Sequence, residues 1–213
     1  DVRFAFLYLA SMDALLHMVG KESPKVDEKM AWYEEKFRHL FSVARENYDD
    51  LRVFICSDHG MATIGNHVDV MAKIEALPLK FGKDYVAVYD STMARFWFPN
   101  PDARAPIEEV LATVSDGRVL PDDELATLGC DFEGEQFGEM IFLMNAGTII
   151  VPSHMGLKPI TGMHGFHPDH EDSDASLLSN VPPPVEVECI TDVFRLMKAE
   201  AGVGPPKGEQ EAA

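Results

Sequence analysis

The stretch VFICSDHGMAT, residues 53–63, decides the fold class. Four apolar residues are followed by Ser57, Asp58, His59 and Gly60. An apolar run that stops at polar residues and a glycine is typical of a buried strand leading into a tight turn. In open α/β sheets, ligands bind beyond the carboxyl ends of the strands. The stretch therefore predicts a sheet edge at which Asp58 and His59 contact a ligand; a solvated strand end with chance polar residues is the alternative.

The residues upstream repeat this arrangement. Residues 3–11 are apolar and predict a buried parallel strand, with Asp13 just beyond it and His17 four residues later. Apolar residues at three- and four-residue steps predict a helix over 27–49, and a second strand is expected at 51–57. Strand, helix and strand in this order indicate a βαβ unit with a parallel pair, and hence an α/β fold.

The rest of the chain is predicted to alternate short strands and helices. We expect a helix at 68–76, two strands within 84–98, a helix at 105–114, a loop with a short helix at 116–135, two strands within 139–153, an acidic loop at 154–175, a short buried element at 174–180 and a helix at 191–201. Residues 1–202 are interpreted as one partial catalytic domain with an inserted or cap segment near 84–156, and residues 203–213 as a flexible tail.

The charge of the chain limits its partners. It carries 36 acidic and 18 basic residues, a net charge of -18. Such a polyanion repels a nucleic-acid backbone or an anionic membrane, so neither is expected as the main partner. No apolar run is long enough to predict a membrane segment. An anionic substrate would need a local source of positive charge, and a metal cluster could provide it.

The three cysteines give no sign of a shared structural role. Cys56, Cys130 and Cys189 are far apart and form no CxxC pair. A disulfide framework or a cysteine-ligated zinc site is therefore not expected. Cys56 is interpreted as a buried free thiol because it lies within an apolar run.

A third group of polar residues lies in TGMHGFHPDHEDSDASLL, residues 161–178. His164 has Gly162 and Gly165 close on either side, which suggests that the backbone passes close to another part of the molecule. His167 and His170 are interspersed with acids, and we interpret them as parts of a solvated loop or as residues that support metal ligands. Aspartate and histidine together suit a divalent cation such as zinc.

Together, three motifs resemble the type I phosphodiesterase/nucleotide pyrophosphatase family of the alkaline phosphatase superfamily. They are D-x-x-x-H-x-x-G at residues 13–20, S-D-H-G-M at 57–61 and H-G-F at 164–166. The segment ITDVFRLMKAEAGVGPP, residues 190–206, is similar to the last helix of that family. The resemblance implies an alkaline-phosphatase-like sandwich with a mostly parallel central sheet flanked by helices, of which an N-terminal part would precede this chain.

The resemblance also implies a bimetal zinc site, in which manganese is a possible substitute. Asp13, His17 and His164 would hold one zinc ion, and Asp58 and His59 would help to hold the other. The two ions would attract a small phosphate-ester substrate and stabilise its in-line displacement.

The nucleophile that the resemblance implies is a threonine or serine upstream of Asp1, near one further aspartate ligand. Ser57 and Thr63 do not match that position, so no catalytic residue is assigned within the chain. The 213 residues alone are therefore expected to be almost inactive.

Other functions remain open at this stage. SDHG also occurs in sulfatases and related enzymes, so a phosphomonoesterase, a phosphonate hydrolase or a sulfatase of the same superfamily is an alternative. A sulfatase usually binds one calcium ion, and His17 with His164 favours zinc instead. A non-catalytic metal-binding module is a further alternative. The sequence indicates neither the oligomeric state nor the compartment.

Overall fold

A computed structural model describes residues 2–203. Its helices are α1 (Ser11–Val19), α2 (Pro24–Arg45), α3 (Val70–Glu75), α4 (Arg104–Leu111), α5 (Asp122–Thr127) and α6 (Asp192–Glu200). Its strands are β1 (Phe54–Cys56), β2 (Ala62–Thr63), β3 (Asn66–Val68), β4 (Val86–Tyr89), β5 (Met93–Trp97), β6 (Gly117–Val119), β7 (Met140–Met144), β8 (Thr148–Ile150), β9 (Gly162–Met163) and β10 (Leu177–Ser179).

The chain divides into two compact units. The first unit contains the described residues of Asp1–Met12, Asp27–Gly60 and Ala175–Ala213. The second unit contains Asp13–Val26 and Met61–Asp174.

The second unit is built on a four-stranded antiparallel sheet with the strand order β4-β5-β7-β6. Alternate residues of β5 are buried, as expected for a strand with one face on a core, and Ala94 pairs with Phe142 of β7. Phe96 and Phe142 are fully buried, together with Ile107 and Leu111 of α4. Truncating either phenylalanine to alanine is expected to cost about 3–5 kcal/mol of stability.

Two smaller strand pairs complete the second unit. β3 pairs in parallel with β8, and β2 pairs antiparallel with β9, so that Ala62 faces Met163 and Thr63 faces Gly162. The pairing of β2 with β9 fixes the backbone immediately before His164.

The first unit contains most of α2, all of α6 and an antiparallel pair formed by β1 and β10. Arg52 makes two hydrogen bonds to Glu200, at 2.8 and 2.7 Å. At the start of α6, the Asp192 carboxylate accepts hydrogen bonds from the backbone N–H groups of Glu188 and Cys189. These two bonds, and a further one from Arg195, lower the pKa of Asp192 well below its usual value.

The predicted first strand is wrong. Residues 3–10 form no strand and are exposed, and helix α1 begins at Ser11. A strand exists only where a neighbouring strand accepts its backbone hydrogen bonds, and no described segment pairs with these residues. The predicted parallel βαβ unit is therefore also wrong, because β1 pairs antiparallel with β10. Cys56 is exposed rather than buried, since β10 is the only described strand that pairs with β1.

Most of the other predicted elements are confirmed. The structure contains the predicted strands within 84–98 and 139–153 and the helices predicted at 27–49, 68–76, 105–114 and 191–201, with shifted ends. Strand β6 lies within a segment predicted to be loop and helix. The predicted buried element at 174–180 contains β10, but Leu178 is 64 % exposed. The described sheets are small and mixed rather than one mostly parallel sheet.

Two further predictions concern the extent of the domain and membrane insertion. The predicted tail at 203–213 lies outside the described residues except for Val203, and the single catalytic domain with a cap segment stays a prediction. Within residues 2–203, no helix combines the length and apolar character needed to span a membrane.

Candidate metal centre

Helix α1 presents an aspartate and a histidine one turn apart on the same face. Asp13 and His17 are four residues apart, and His17 Nε2 lies 3.3 Å from Asp13 Oδ1. The sequence predicted that both residues follow a strand, whereas the structure places both within a helix. The spacing of the motif is therefore one helical turn, which fixes both side chains on one rigid element.

The carboxyl end of α1 is held by the segment that leads to His164. Gly20 ends the helix with a positive φ of 76°, a conformation that glycine adopts without strain. Thr161 donates its backbone N–H to the carbonyl of His17 at 3.1 Å and its hydroxyl to the carbonyl of Met18 at 3.1 Å. Two carbonyls that the helix itself leaves unbonded are thereby satisfied.

Gly162 lets the two backbones approach closely. A Cβ atom at this position would lie 2.5 Å from the Leu16 carbonyl oxygen, a distance that real side chains do not tolerate. The carbonyl of Gly162 lies 2.8 Å from His17 Nδ1. The close approach predicted from the glycines around His164 is thus confirmed at Gly162.

His164 follows β9 directly and completes a three-residue cluster. Its Nε2 lies 3.6 Å from Asp13 Oδ1, and its ring centroid lies 5.1 Å from that of His17. One ligand atom from each of the three side chains can be chosen so that all lie within 4.8 Å of one another. All three residues belong to the second unit.

The hydrogen bond to Gly162 determines which nitrogen of His17 faces the cluster. A backbone carbonyl can only accept, so Nδ1 carries a proton and donates it. In the neutral ring Nε2 is then an acceptor, and it faces Asp13 Oδ1. That oxygen is buried and makes no hydrogen bond to any residue within 2–203. Acceptor atoms that face one another at this distance need a proton or a cation between them.

The donor set fits zinc. Zinc binds aspartate oxygen and histidine nitrogen at about 2.0–2.2 Å with tetrahedral geometry, which places two ligand atoms about 3.4 Å apart. The separations of 3.3 and 3.6 Å from Asp13 Oδ1 to the two imidazole nitrogens match this value. The His17 ring is also oriented by a backbone carbonyl, as metal-binding histidines usually are.

The first unit contains a second pair of the same kind. His59 Nδ1 lies 2.8 Å from the carbonyl of Gly60, and His59 Nε2 lies 3.4 Å from Asp58 Oδ1. Both residues follow β1, as predicted, although this strand is antiparallel to its neighbour. The structure therefore brings Asp13, His17 and His164 together in one unit and pairs Asp58 with His59 in the other.

Ser57 takes part in local structure. Its hydroxyl accepts a hydrogen bond from the backbone N–H of Ser176 at 2.9 Å and lies 3.1 Å from the Ser176 hydroxyl. These contacts connect the end of β1 to the start of β10.

Contacts that the sequence did not predict hold the loop after His164 in place. His167 Nε2 lies 2.8 Å from Glu124 Oε1, and Arg118 donates two hydrogen bonds to the same carboxylate. The bonds from Arg118, followed by the contact with His167, lower the pKa of Glu124 to about 2. Lys21, directly after Gly20, forms an ion pair with Asp172. His167 and Glu124, like Lys21 and Asp172, are so distant in sequence that no local pattern could have identified these contacts.

Solved structures place the chain in the alkaline-phosphatase-like α/β fold class. Human ectonucleotide pyrophosphatase/phosphodiesterase 5 has a TM-score of 0.72 at 17 % identity, covering 90 % of this chain and 52 % of that one. An inactive murine form of the same protein, in complex with AMP, has a TM-score of 0.71 at 15 % identity, with coverages of 90 % and 52 %. Phosphonoacetate hydrolase from Sinorhizobium meliloti 1021 has a TM-score of 0.63 at 15 % identity, with coverages of 89 % and 50 %.

The chain spans about half the length of these solved structures, and a family model identifies it more closely. The model for type I phosphodiesterase/nucleotide pyrophosphatase matches residues 1–166. The chain therefore belongs to the type I phosphodiesterase/nucleotide pyrophosphatase family, which confirms the resemblance seen in its motifs. No curated protein sequence matches the chain significantly. The likeness of residues 190–206 to the last family helix lies beyond the matched residues and stays a prediction.

Proposed function

We propose that this chain is part of a metal-dependent hydrolase of phosphoric esters, of phosphodiesterase or nucleotide pyrophosphatase type. The observation that carries the proposal is the buried oxygen Asp13 Oδ1, which lies 3.3 and 3.6 Å from the imidazole nitrogens of His17 and His164. Asp13 Oδ1 and His17 Nε2 both face one another as acceptors, and such a pair is stable when a cation lies between them. Because the chain belongs to the type I phosphodiesterase/nucleotide pyrophosphatase family, the cation is proposed to assist the hydrolysis of phosphoric esters.

Two zinc ions are proposed, with manganese as a possible substitute. Asp13, His17 and His164 would hold one ion, and Asp58 with His59 would contribute to the other. The same arrangement in both pairs supports this assignment, because each histidine donates Nδ1–H to a backbone carbonyl and faces an aspartate through Nε2. Bound zinc would supply positive charge that stabilises phosphoryl oxygens during displacement.

The residues of the chain keep the site in place before the substrate arrives. The carbonyl of Gly162 fixes the His17 ring, and the bonds from Thr161 hold the end of α1 against β9. Preorganisation of this kind lowers the cost of ordering the site when a ligand binds.

We assign the nucleophile to a threonine or serine outside these 213 residues. That hydroxyl would attack phosphorus, displace the alcohol of the ester and form a phosphoryl-enzyme bond, which water would then hydrolyse. The chain by itself is accordingly expected to turn over slowly or not at all.

The proposed substrate is a small phosphate ester. The murine neighbour in complex with AMP supports a nucleotide-sized compound. A phosphonate hydrolase is the second candidate, because phosphonoacetate hydrolase has been solved with phosphonoformate and with phosphonoacetate.

The test combines metal analysis with hydrolysis assays on the whole gene product that contains this chain. We expect zinc-dependent hydrolysis of bis-p-nitrophenyl phosphate in preference to p-nitrophenyl phosphate and phosphonoacetate. His164→Ala should lose about one equivalent of zinc and most activity. His39→Ala, a change at an exposed position of α2, is the matched control and should lose neither. A wild-type protein that binds no zinc, or hydrolyses none of the three compounds, would refute the proposal.

A further inference from the structure

We propose that a cavity beside the four-stranded sheet holds the organic group of the phosphate ester, and that this group contains a single ring. The inference rests on the proposed function and adds a substrate-binding site to it. The cavity has a volume of about 280 Å³ and lies within the second unit. Its walls include Arg118, Leu143, Met144, Ala146, His167 and His170.

One wall of the cavity is apolar. It is formed by Leu143 and Met144 at the end of β7 and by Ala146 just beyond, with Asn145 as the polar residue between them. Sites for small molecules are mostly apolar with a few polar groups that fix orientation. The volume lies just below the range of about 300–1,000 Å³ that is typical of drug-sized ligands, so one ring is the size that fits.

The lining also includes two histidine rings. The Nδ1 atoms of His167 and His170 accept hydrogen bonds from the backbone N–H groups of Asp169 and Asp172, each at 3.2 Å. Each neutral ring therefore carries its proton on Nε2. His167 directs Nε2 at Glu124, at 2.8 Å, whereas His170 can donate its proton to a ligand.

Arg118 adds a guanidinium group with a fixed position. Its two hydrogen bonds to Glu124, at 2.6 and 2.5 Å, hold the guanidinium in one orientation. None of the side chains that line the cavity within residues 2–203 is acidic. Glu124 offsets the charge of this guanidinium, so Arg118 contributes a fixed shape to the wall rather than net positive charge.

His164 of the candidate metal centre and His167 of the cavity wall belong to the same short segment. His167 follows His164 by three residues, so their Cα atoms are at most about 11 Å apart. An ester whose phosphate group meets Asp13, His17 and His164 can thus extend its organic group into the cavity. The loop from His164 to His170 would then contact both halves of the substrate.

The test is a binding measurement with phosphonates, which contain no ester bond to hydrolyse. The zinc-loaded whole gene product is titrated calorimetrically with benzylphosphonate and with methylphosphonate. The two compounds share the charged group and differ by the ring. We expect wild type to bind benzylphosphonate about tenfold more tightly, because only that compound fills the cavity.

Ala146→Leu fills the cavity and is expected to abolish this tenfold preference while leaving the affinity for methylphosphonate unchanged. His170→Ala alters an exposed residue and should lower the affinity for benzylphosphonate about threefold. This variant tests the cavity proposal if Ala146→Leu does not fold. His39→Ala should preserve both affinities.

A wild type that binds the two compounds equally, or two folded variants that keep the full preference, would overturn the cavity proposal alone. A protein that binds neither zinc nor methylphosphonate would overturn the proposed function as well.

Discussion

The carbonyl oxygen of Leu16 lies 2.5 Å from the point that a Cβ atom on Gly162 would occupy. Helix α1 and strand β9 therefore approach as closely as a glycine allows. This approach also brings the carbonyl of Gly162 to 2.8 Å from His17 Nδ1. The contact between the two backbones thus determines both the packing of α1 and the orientation of a proposed metal ligand.

Gly162→Ala should weaken zinc binding and lower stability together. The added methyl group has to push α1 away from β9, which should cost about 1–3 kcal/mol of unfolding free energy. The same shift lengthens the hydrogen bond that orients His17, and loss of such support typically reduces metal affinity about 10–100-fold. Urea unfolding of the metal-free protein and competitive zinc titration measure the two effects.

Gly156→Ala provides the matched control for this change. A Cβ atom on Gly156 meets no other atom within 4 Å, and its φ is not positive. The control should change stability by less than about 0.5 kcal/mol and leave zinc affinity as it is. Normal zinc affinity in a folded Gly162→Ala protein would show that the close approach does not position His17.

Lys21→Met should weaken zinc binding slightly through the ion pair with Asp172. This pair connects the end of α1 to the loop after His164. Because Lys21 is about one third exposed, the pair is worth at most about 0.5 kcal/mol, which corresponds to about a twofold to threefold change in affinity. Lys21→Arg keeps the charge and should bind zinc as tightly as wild type. Lys36→Met breaks an exposed pair with Glu35 in α2 and should have no effect on zinc affinity. Equal affinities in wild type and Lys21→Met would exclude this role.

The ion pair between Arg118 and Glu124 predicts a loss of stability in acid. The pKa of Glu124 falls from 4.5 to about 2, chiefly through its hydrogen bonds to Arg118. A carboxylate with a depressed pKa in the folded state stabilises the protein above its unfolded pKa. That contribution should therefore be complete above about pH 4.5 and disappear as the pH falls towards 2.

Urea unfolding at several pH values, in wild type and Glu124→Gln, checks this prediction. The difference in unfolding free energy between the two proteins should shrink steadily below about pH 4.5. Glu109→Gln alters an exposed acid of α4 and should show a much smaller change. A difference between wild type and Glu124→Gln that stays constant from pH 6 down to about 2 would mean that the ion pair contributes nothing measurable.

The sequence predicted the elements that depend on local pattern. β4 and β5 were recognisable because apolar residues alternate on both sides of a Ser-Thr turn, and Phe96 and Ala94 are indeed buried. The segment 3–11 has an equally apolar composition but forms no strand, because strand formation depends on a neighbouring strand. Pairing partners are non-local, so composition alone does not reveal them.

The candidate site likewise combines local features that the sequence predicts with non-local contacts that it does not. The spacing of Asp13 and His17 and the glycines around His164 are local signals, and the three side chains do converge. The ion pair of Lys21 with Asp172 and the contact of His167 with Glu124 join residues far apart in sequence. Their acids are indistinguishable in the sequence from the many other acids of this chain, so only the folded structure identifies them.

Asp58 and His59 provide the test of a second metal ion. His59 has its Nδ1 proton directed at the carbonyl of Gly60, and its Nε2 faces Asp58 Oδ1 at 3.4 Å, the same arrangement that His17 makes with Asp13. If each pair binds its own zinc ion, the whole gene product should contain about two equivalents of zinc, and Asp58→Asn combined with His59→Ala should reduce this to about one. Asp13→Asn combined with His164→Ala should remove the other equivalent, and His39→Ala should remove none. Elemental analysis after dialysis against a weak chelator gives these numbers directly. The contrary result is a wild-type protein that contains one equivalent of zinc and keeps it when Asp58 and His59 are changed. That result would show that this pair binds no metal ion of its own.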